Sequence, residues 1–230
     1  MPVVGIDIGG SKMRGVVWSG TRVLRAKTVG TPHGKVVFER TLRALVQGLG
    51  GGDRRVPVGI GCAGVIQGTK VVWSTNIPFL VNFDMAKFLG RRVRLDNDAR
   101  AFARGEYRRG AAKGVRRALF LTFGTGVGRA YGERNRIESV KRFEYPERWE
   151  KRYQAIRGMK KLGSFAAEHV FPIVRRYKPT VIVVGGAVGG CAGFVPRFRA
   201  ALRTRGFTGN TVRSKLGAYA GAIGAVLLFP

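Results

Sequence analysis

Acidic side chains are scarce. The 230-residue chain has 13 Asp and Glu against 42 Lys and Arg, a formal net charge of +29. At most 13 cations can pair with a carboxylate, which excludes a surface of balanced ion-pair networks. Two readings of the surplus stand side by side. One is attraction to polyanions such as nucleotides, nucleic acid or an anionic membrane. The other is a solvated basic surface, because the cations spread along the whole chain. They thicken between Arg129 and Lys161, with 11 Lys/Arg and 5 Glu. Histidine and cysteine number two each, and neither Cys62 nor Cys191 stands in a CxxC pair. That excludes zinc-site spacing and leaves the thiols as small buried hydrophobes. Long apolar runs are missing too. The longest, Ala218 to Phe229, is interrupted by Gly221 and Gly224 and is too short to span a bilayer. Residues 1–10 carry no basic leader. A soluble, cytoplasmic protein without membrane contacts is expected. A Walker A motif is absent, which excludes a P-loop enzyme.

What is present alternates strands with helices, so α/β layers are expected. Val3 to Ile8 and Met13 to Trp18 read as strands joined by a glycine turn, with Val23 to Val29 as a third. Lys35 to Gly48 has helical spacing, and Val56 to Cys62 reads as a buried strand. Val71 to Trp73 is a further short strand. Asp84 caps a short helix whose apolar face is Met85, Phe88 and Leu89. Arg92 to Leu95 is a strand leading into a helix that runs to about Arg109. Arg117 to Phe123, a glycine turn and a strand through Tyr131 repeat the opening pattern. The polar, aromatic stretch from Glu133 to Tyr153 gives no pattern. Gln154 to Tyr177 reads as helical, bent or restarted at Pro172. Thr180 to Val184 is a buried strand, and helices follow over Gly193 to Arg205 and Lys215 to Leu228. The repeated strand–turn–strand opening (VVGIDIGGSKMRGVVW and ALFLTFGTGVGRAY) implies two lobes. The expected division is 1–97 with 214–230, and 98–213.

Glycines at a hairpin tip let backbone N–H groups face an anion. Two such turns, one per half, suit the phosphates of one nucleotide. In the first, Asp7 precedes Gly9 and Gly10, and a carboxylate there suits Mg²⁺, held through water. Ser11 and Lys12 follow, as phosphate contacts or as plain turn residues. The second turn is Gly124-Thr125-Gly126. Gly185-Gly186-Ala187, between a strand and a helix, suits either ligand approach or tight packing. Asp96-Asn97-Asp98 joins a strand to a helix. It reads equally as a helix cap with acidic first-turn residues or as the source of a general base.

GIDIGGSK (Gly5 to Lys12), LDNDARA (Leu95 to Ala101), LTFGTGVG (Leu121 to Gly128) and VVGGAV (Val183 to Val188) resemble, in order and spacing, the motifs of the ROK family of repressors, open reading frames and kinases. GIGCAG (Gly59 to Gly64), STNIP (Ser74 to Pro78) and the closing GAYAGAIGAVLL resemble further family segments. The resemblance covers about Val3 to Tyr131 and Pro179 to Leu228. It implies a two-lobed actin-like ATPase fold, of the ribonuclease H-like type, with ATP in the cleft, and a sugar kinase of the hexose or amino-sugar class. Asp98 would be the catalytic base, and Gly64, Asn76 and Asn97 would hold sugar hydroxyls. Asp7 would serve magnesium. Gly9, Gly10, Ser11, Lys12, Gly124, Thr125 and Gly126 would meet the phosphates; Gly185, Gly186 and Ala187 would lie near the adenosine. A homodimer is expected. The chain departs from the family in lacking its Glu-x-Gly-His sugar motif and cysteine-rich zinc site, so no structural zinc is expected. By the family's usual interval, Glu147 replaces the motif's glutamate and Glu150 falls where its zinc-binding His would be. The helical block beyond is shortened. Two alternatives stay open: a non-catalytic binding or regulatory protein contacting nucleic acid through its basic surface, and a kinase of an anionic acceptor. Nucleic acid is the less favoured partner, because the first strand begins at once, where family repressors carry a helix-turn-helix.

Overall fold

A computed structural model describes residues 2–156 and 158–230. Met1, and Arg157 with its place in the helix expected from Gln154, lie outside the described residues. The chain forms two compact units, residues 1–105 with 219–230, and residues 106–218.

In the first unit β1 (Val3–Ile8), β2 (Lys12–Trp18) and β3 (Val23–Gly30) make an antiparallel meander. After α1 (Lys35–Val46), β4 (Val58–Cys62) pairs parallel to β1. A small antiparallel sheet follows, β5 (Val65–Gln67), β6 (Lys70–Trp73) and β7 (Phe83–Asp84). Then come α2 (Met85–Leu89) and β8 (Val93–Asn97), parallel to β4. The main sheet runs β3-β2-β1-β4-β8. Its centre is buried on both faces, as parallel strands with continuous apolar runs require. On one side α1 buries Phe38, Leu42, Leu45 and Val46, one helical stripe. A C-terminal helix, Ala220–Val226, mostly Ala and Gly and wholly buried, packs on β1 and β4. Asp84 caps α2 as expected, its Oδ1 accepting from the Ala86 and Lys87 amides.

The chain passes to the second unit within α3 (Asp98–Arg109). There β9 (Arg117–Phe123), β10 (Val127–Glu133) and β11 (Arg136–Glu138) form a second antiparallel meander. After α4 (Trp149–Ala155) and α5 (Met159–Tyr177), β12 (Val181–Gly185) joins parallel to β9. Then α6 (Gly186–Gly189) and α7 (Phe194–Thr204) precede β13 (Asn210–Arg213), parallel to β12. The order β11-β10-β9-β12-β13 reproduces the first sheet's pattern of three antiparallel strands continued by two parallel ones. The repeat seen in the sequence is thus a repeat of sheet topology.

Two expectations need correcting. Pro172 does not restart the helix: it lies inside α5, which continues through it to Tyr177. Ala166, Ala167, Val170 and Val174 are buried along that helix, and their packing offsets the one backbone bond that proline removes. The last helix starts at Ala220, not Lys215, because Glu106 holds the amides of Lys215 and Leu216 out of helical geometry. Among the described residues, no helix is long and apolar enough to cross a membrane.

Candidate active site

In the first unit, the parallel strands β1 and β8, on either side of β4, carry Asp7, Asp96 and Asn97 toward their carboxyl ends. Register places Asp7 beside Gly61, Gly61 beside Asp96, and Cys62 beside Asn97. The three polar residues of Asp96-Asn97-Asp98, indistinguishable by sequence, have three different surroundings. Asp96 is consumed by cations: Arg100 Nε lies 2.5 Å and Arg104 Nη2 2.7 Å from its two oxygens. Asn97 is the cap of α3, its Oδ1 accepting from the amides of Ala99 (3.0 Å) and Arg100 (3.2 Å). Its Nδ2 donates to Gly64 O at 2.9 Å, tying the cap to the loop after β4. Asp98 opens the first turn, and its Oδ1 accepts from the Ala99 amide at 2.9 Å.

Gly61 keeps the space between the two remaining acids open. A Cβ there would lie 2.7 Å from Ala101 Cβ, 3.5 Å from Asp98 Cα and 3.9 Å from Asp7 Oδ1. Asp7 and Asp98 therefore feel each other. Burial pushes the Asp7 carboxyl up to about 7, with the charge of Asp98 adding to it and Arg14 opposing. Burial likewise raises Asp98 to about 6, against the Ala99 amide and Arg100. Between them, burial and both carboxylates push the Cys62 thiol well up, so it is an inert neutral group.

Asp7 fits a hydrated Mg²⁺. Among the described residues no donor bonds its carboxylate, and the unfavourable charge it carries is what a divalent cation would offset. No group of three or more His, Cys, Asp or Glu is arranged to hold a metal among the described residues.

The other first-unit candidates gather at the same strand ends. Gly10 abuts Asn76, whose Cβ would lie 3.0 Å from a Cβ at residue 10. Ser74, buried, donates to Ala63 O at 2.8 Å and accepts from the Ile77 amide, joining the Gly64 loop to the Asn76 loop. The turn of Gly9, Gly10, Ser11 and Lys12 closes with Gly9 N–H donating to Lys12 O at 3.1 Å. Thr31 braces it: Oγ1 donates to Gly9 O (2.7 Å) and its amide to Ser11 O (3.1 Å). Sequence reasoning passed over Thr31, a buried threonine just past a strand end with no motif around it.

In the second unit, register sets Gly185 beside Thr122, so Gly185, Gly186 and Ala187 adjoin the Gly124-Thr125-Gly126 turn. Gly186 has φ +83°, and a Cβ on it would run into the backbone of Phe123. Only glycine fits there. Glu147 faces inward: Trp149 Nε1 donates to its Oε2 at 2.9 Å, and Arg129 Nη1 lies 3.4 Å from Oε1. Glu150, buried, accepts from Val127 N–H, Glu147 N–H and Arg129 Nη2 at 2.9–3.0 Å.

The model of the ROK family matches residues 3–138, more than half of the chain. The chain belongs to the ROK family. Over 131 residues this ROK protein is 35% identical to a glucokinase of Streptomyces coelicolor, a match covering 54% of this chain and 41% of that one. Over 133 residues it is 32% identical to the N-acetylgalactosamine kinase AgaK of Shewanella sp. strain ANA-3, covering 54% and 42%. The matched segment thus spans less than half the length of these curated relatives. In fold, the ROK chain is similar to a ROK family glucokinase from Streptomyces griseus solved with glucose and AMPPNP. The TM-score is 0.84 at 22% identity, covering 99% of each chain. The α/β fold of the actin-like ATPase class, expected from the motifs, is borne out.

Proposed function

We propose that this ROK protein is an ATP-dependent kinase that phosphorylates a hydroxyl of a hexose or amino sugar, with Asp98 as general base. The observation that carries the reading is the setting of Asp98. Among the described residues it is the acid of its tripeptide with no cationic ion-pair partner, and burial raises its pKa to about 6. A carboxylate at that value is ionised at neutral pH and still basic enough to accept a proton. The kinase relatives add support on sequence.

In the reaction, Asp98 accepts the hydroxyl proton as the sugar oxygen bonds to the γ-phosphorus and the bond to the β–γ bridging oxygen breaks. The products are the sugar phosphate, ADP and a proton that Asp98 later releases to solvent. Gly64, Asn76 and Asn97 orient the sugar, and Asn97 is pre-set for this by its bond to the Gly64 carbonyl. In the first unit the Gly9–Lys12 turn is assigned to phosphate; in the second unit the Gly124–Gly126 turn is assigned to phosphate, and Gly186 and Ala187 to the adenosine. Mg²⁺, held through Asp7, would neutralise phosphate charge. Positioning and electrostatics supply most of the rate in such chemistry.

The test is ADP release by the purified protein with Mg-ATP and a panel of sugars: glucose, mannose, N-acetylglucosamine, N-acetylmannosamine and glucuronate. Turnover on a neutral hexose or amino sugar is the expected outcome. Turnover on the acidic sugar alone moves the acceptor to an anionic class. No turnover on any of them overturns the reading.

A further inference from the structure

Residues Trp149–Ala155 lie in and beside the stretch that gave no sequence pattern, and as α4 they make contacts that nothing above assigns to the reaction. Two bonds run from this helix to the second glycine turn, and a third to the residue after it. Gln154 Nε2 donates to Thr125 O at 2.7 Å, and Tyr153 Oη donates to Gly124 O at 3.4 Å. Glu150 Oε2 accepts from the Val127 amide at 3.0 Å, just past the turn. Two ties fasten the helix itself. Arg129 on β10 pairs with Glu147 and Glu150, and Trp149 and Tyr153 pack in the core with Phe123 and Phe165.

The chemistry of these ties is directional. They engage two carbonyl oxygens of the turn, the groups that repel a phosphate. Burial and the nearby Glu150 charge push the Tyr153 hydroxyl far up, so it stays a donor. The first unit treats its own turn in the same way: Thr31 donates to the carbonyls of Gly9 and Ser11. A turn with its carbonyls tied back holds its amide edge ready for an anion without reorganisation on binding.

We propose that α4 is a clamp which pre-sets the Gly124–Gly126 turn for the phosphates of the nucleotide, with Tyr153 and Gln154 as positioning residues. The inference rests on the kinase reading for the identity of the anion. It predicts a nucleotide-specific defect when the clamp is loosened, with sugar recognition spared.

Binding of Mg-ADP is measured by calorimetry on the wild type, Tyr153→Phe and Gln154→Ala. Sugar phosphorylation is assayed in parallel, and thermal midpoints are taken without ligand. Gln154 is exposed, so its truncation leaves the core intact. One lost hydrogen bond per variant predicts about fivefold weaker Mg-ADP binding for each, with midpoints close to the wild type. In the kinetics, KM for ATP rises, while KM for the sugar is unchanged. Gln154→Glu, which sets a carboxylate against the Thr125 carbonyl, weakens binding further than the alanine variant does. Unchanged Mg-ADP affinity in both variants, or equal rises in both KM values, overturns the clamp. A wild type that binds Mg-ADP but phosphorylates no sugar overturns the kinase reading, and weaker binding by the variants still supports the clamp. A wild type that binds no Mg-ADP overturns both.

Discussion

Gly221 of the C-terminal helix lies directly against the carboxylate of Asp7. A Cβ at residue 221 would stand 2.6 Å from Asp7 Cγ and 2.7 and 2.9 Å from its two oxygens. The last helix of the chain therefore shapes the setting of the first acidic residue, 214 positions earlier.

This contact makes Gly221→Ala an informative substitution. Alanine gains roughly 1 kcal/mol over glycine inside a helix, which offsets part of the cost of displacing one short side chain. The expected outcome is a modest change in thermal midpoint with at least a tenfold fall in kcat and a higher Mg²⁺ concentration for half-maximal rate. A magnesium titration of the variant checks it. Three residues on, a Cβ on Gly224 would collide with the backbone carbonyl of Ala101 in α3. Backbone cannot swing aside as a carboxylate can, so Gly224→Ala is expected to cost about 3 kcal/mol or more in denaturant unfolding.

The pH dependence of stability follows from the raised acids. An acid whose pKa goes up on folding, from 3.8 to about 6 for Asp98, favours the folded state below pH 3.8 relative to neutral pH. That contribution is lost as pH rises through about 6. The full shift corresponds to roughly 3 kcal/mol, and residual solvent contact reduces it to the order of 1–2. Asp98→Asn keeps an acceptor for the Ala99 amide and removes the ionisation. It is expected to melt higher than the wild type at pH 7.5, with the difference vanishing near pH 4. Thermal melts across that range check it.

Catalysis should show the opposite face of the same titration. With Asp98 as base, kcat/KM falls tenfold per pH unit on the acid side of about pH 6. A pH–rate profile at saturating magnesium separates this limb from the loss of a metal proposed at Asp7.

Glu106 tests the packing of the second unit. It is fully buried, and its two oxygens accept from Ser214 Oγ and the amides of Ala111, Lys215 and Leu216 at 2.6–3.2 Å. An amide in its place points N–H at N–H. Glu106→Gln is expected to cost about 2–3 kcal/mol, read from urea unfolding.

Much of this molecule was legible in the sequence, for physical reasons. The strand–glycine turn–strand pattern exposed the hairpin that opens each sheet, because buried strands show as apolar runs and tight turns as glycine. Sequence pattern put Asp7 before a glycine turn and Asp96-Asn97-Asp98 at a strand-to-helix junction, though not which acid of that tripeptide is paired. That depends on Arg100 and Arg104 lying on one face of α3, a geometry with no local signal. Residues 133–153 stayed opaque because β11 is three residues long and α4 takes its stability from tertiary ties through Arg129 and Glu150, which no local pattern encodes. Pro172 misled for a related reason: burial outweighed a local helix-breaking rule.

In the proposed reaction one carboxylate, Asp98, takes the proton of the attacking hydroxyl. The most direct measurement compares wild type and Asp98→Asn for transfer of labelled γ-phosphate from ATP to the best neutral sugar of the panel, with Mg-ADP affinity measured on the same samples. The expected result is a loss of transfer of at least a thousandfold with nucleotide affinity unchanged. Transfer at the wild-type rate by the asparagine variant would contradict it.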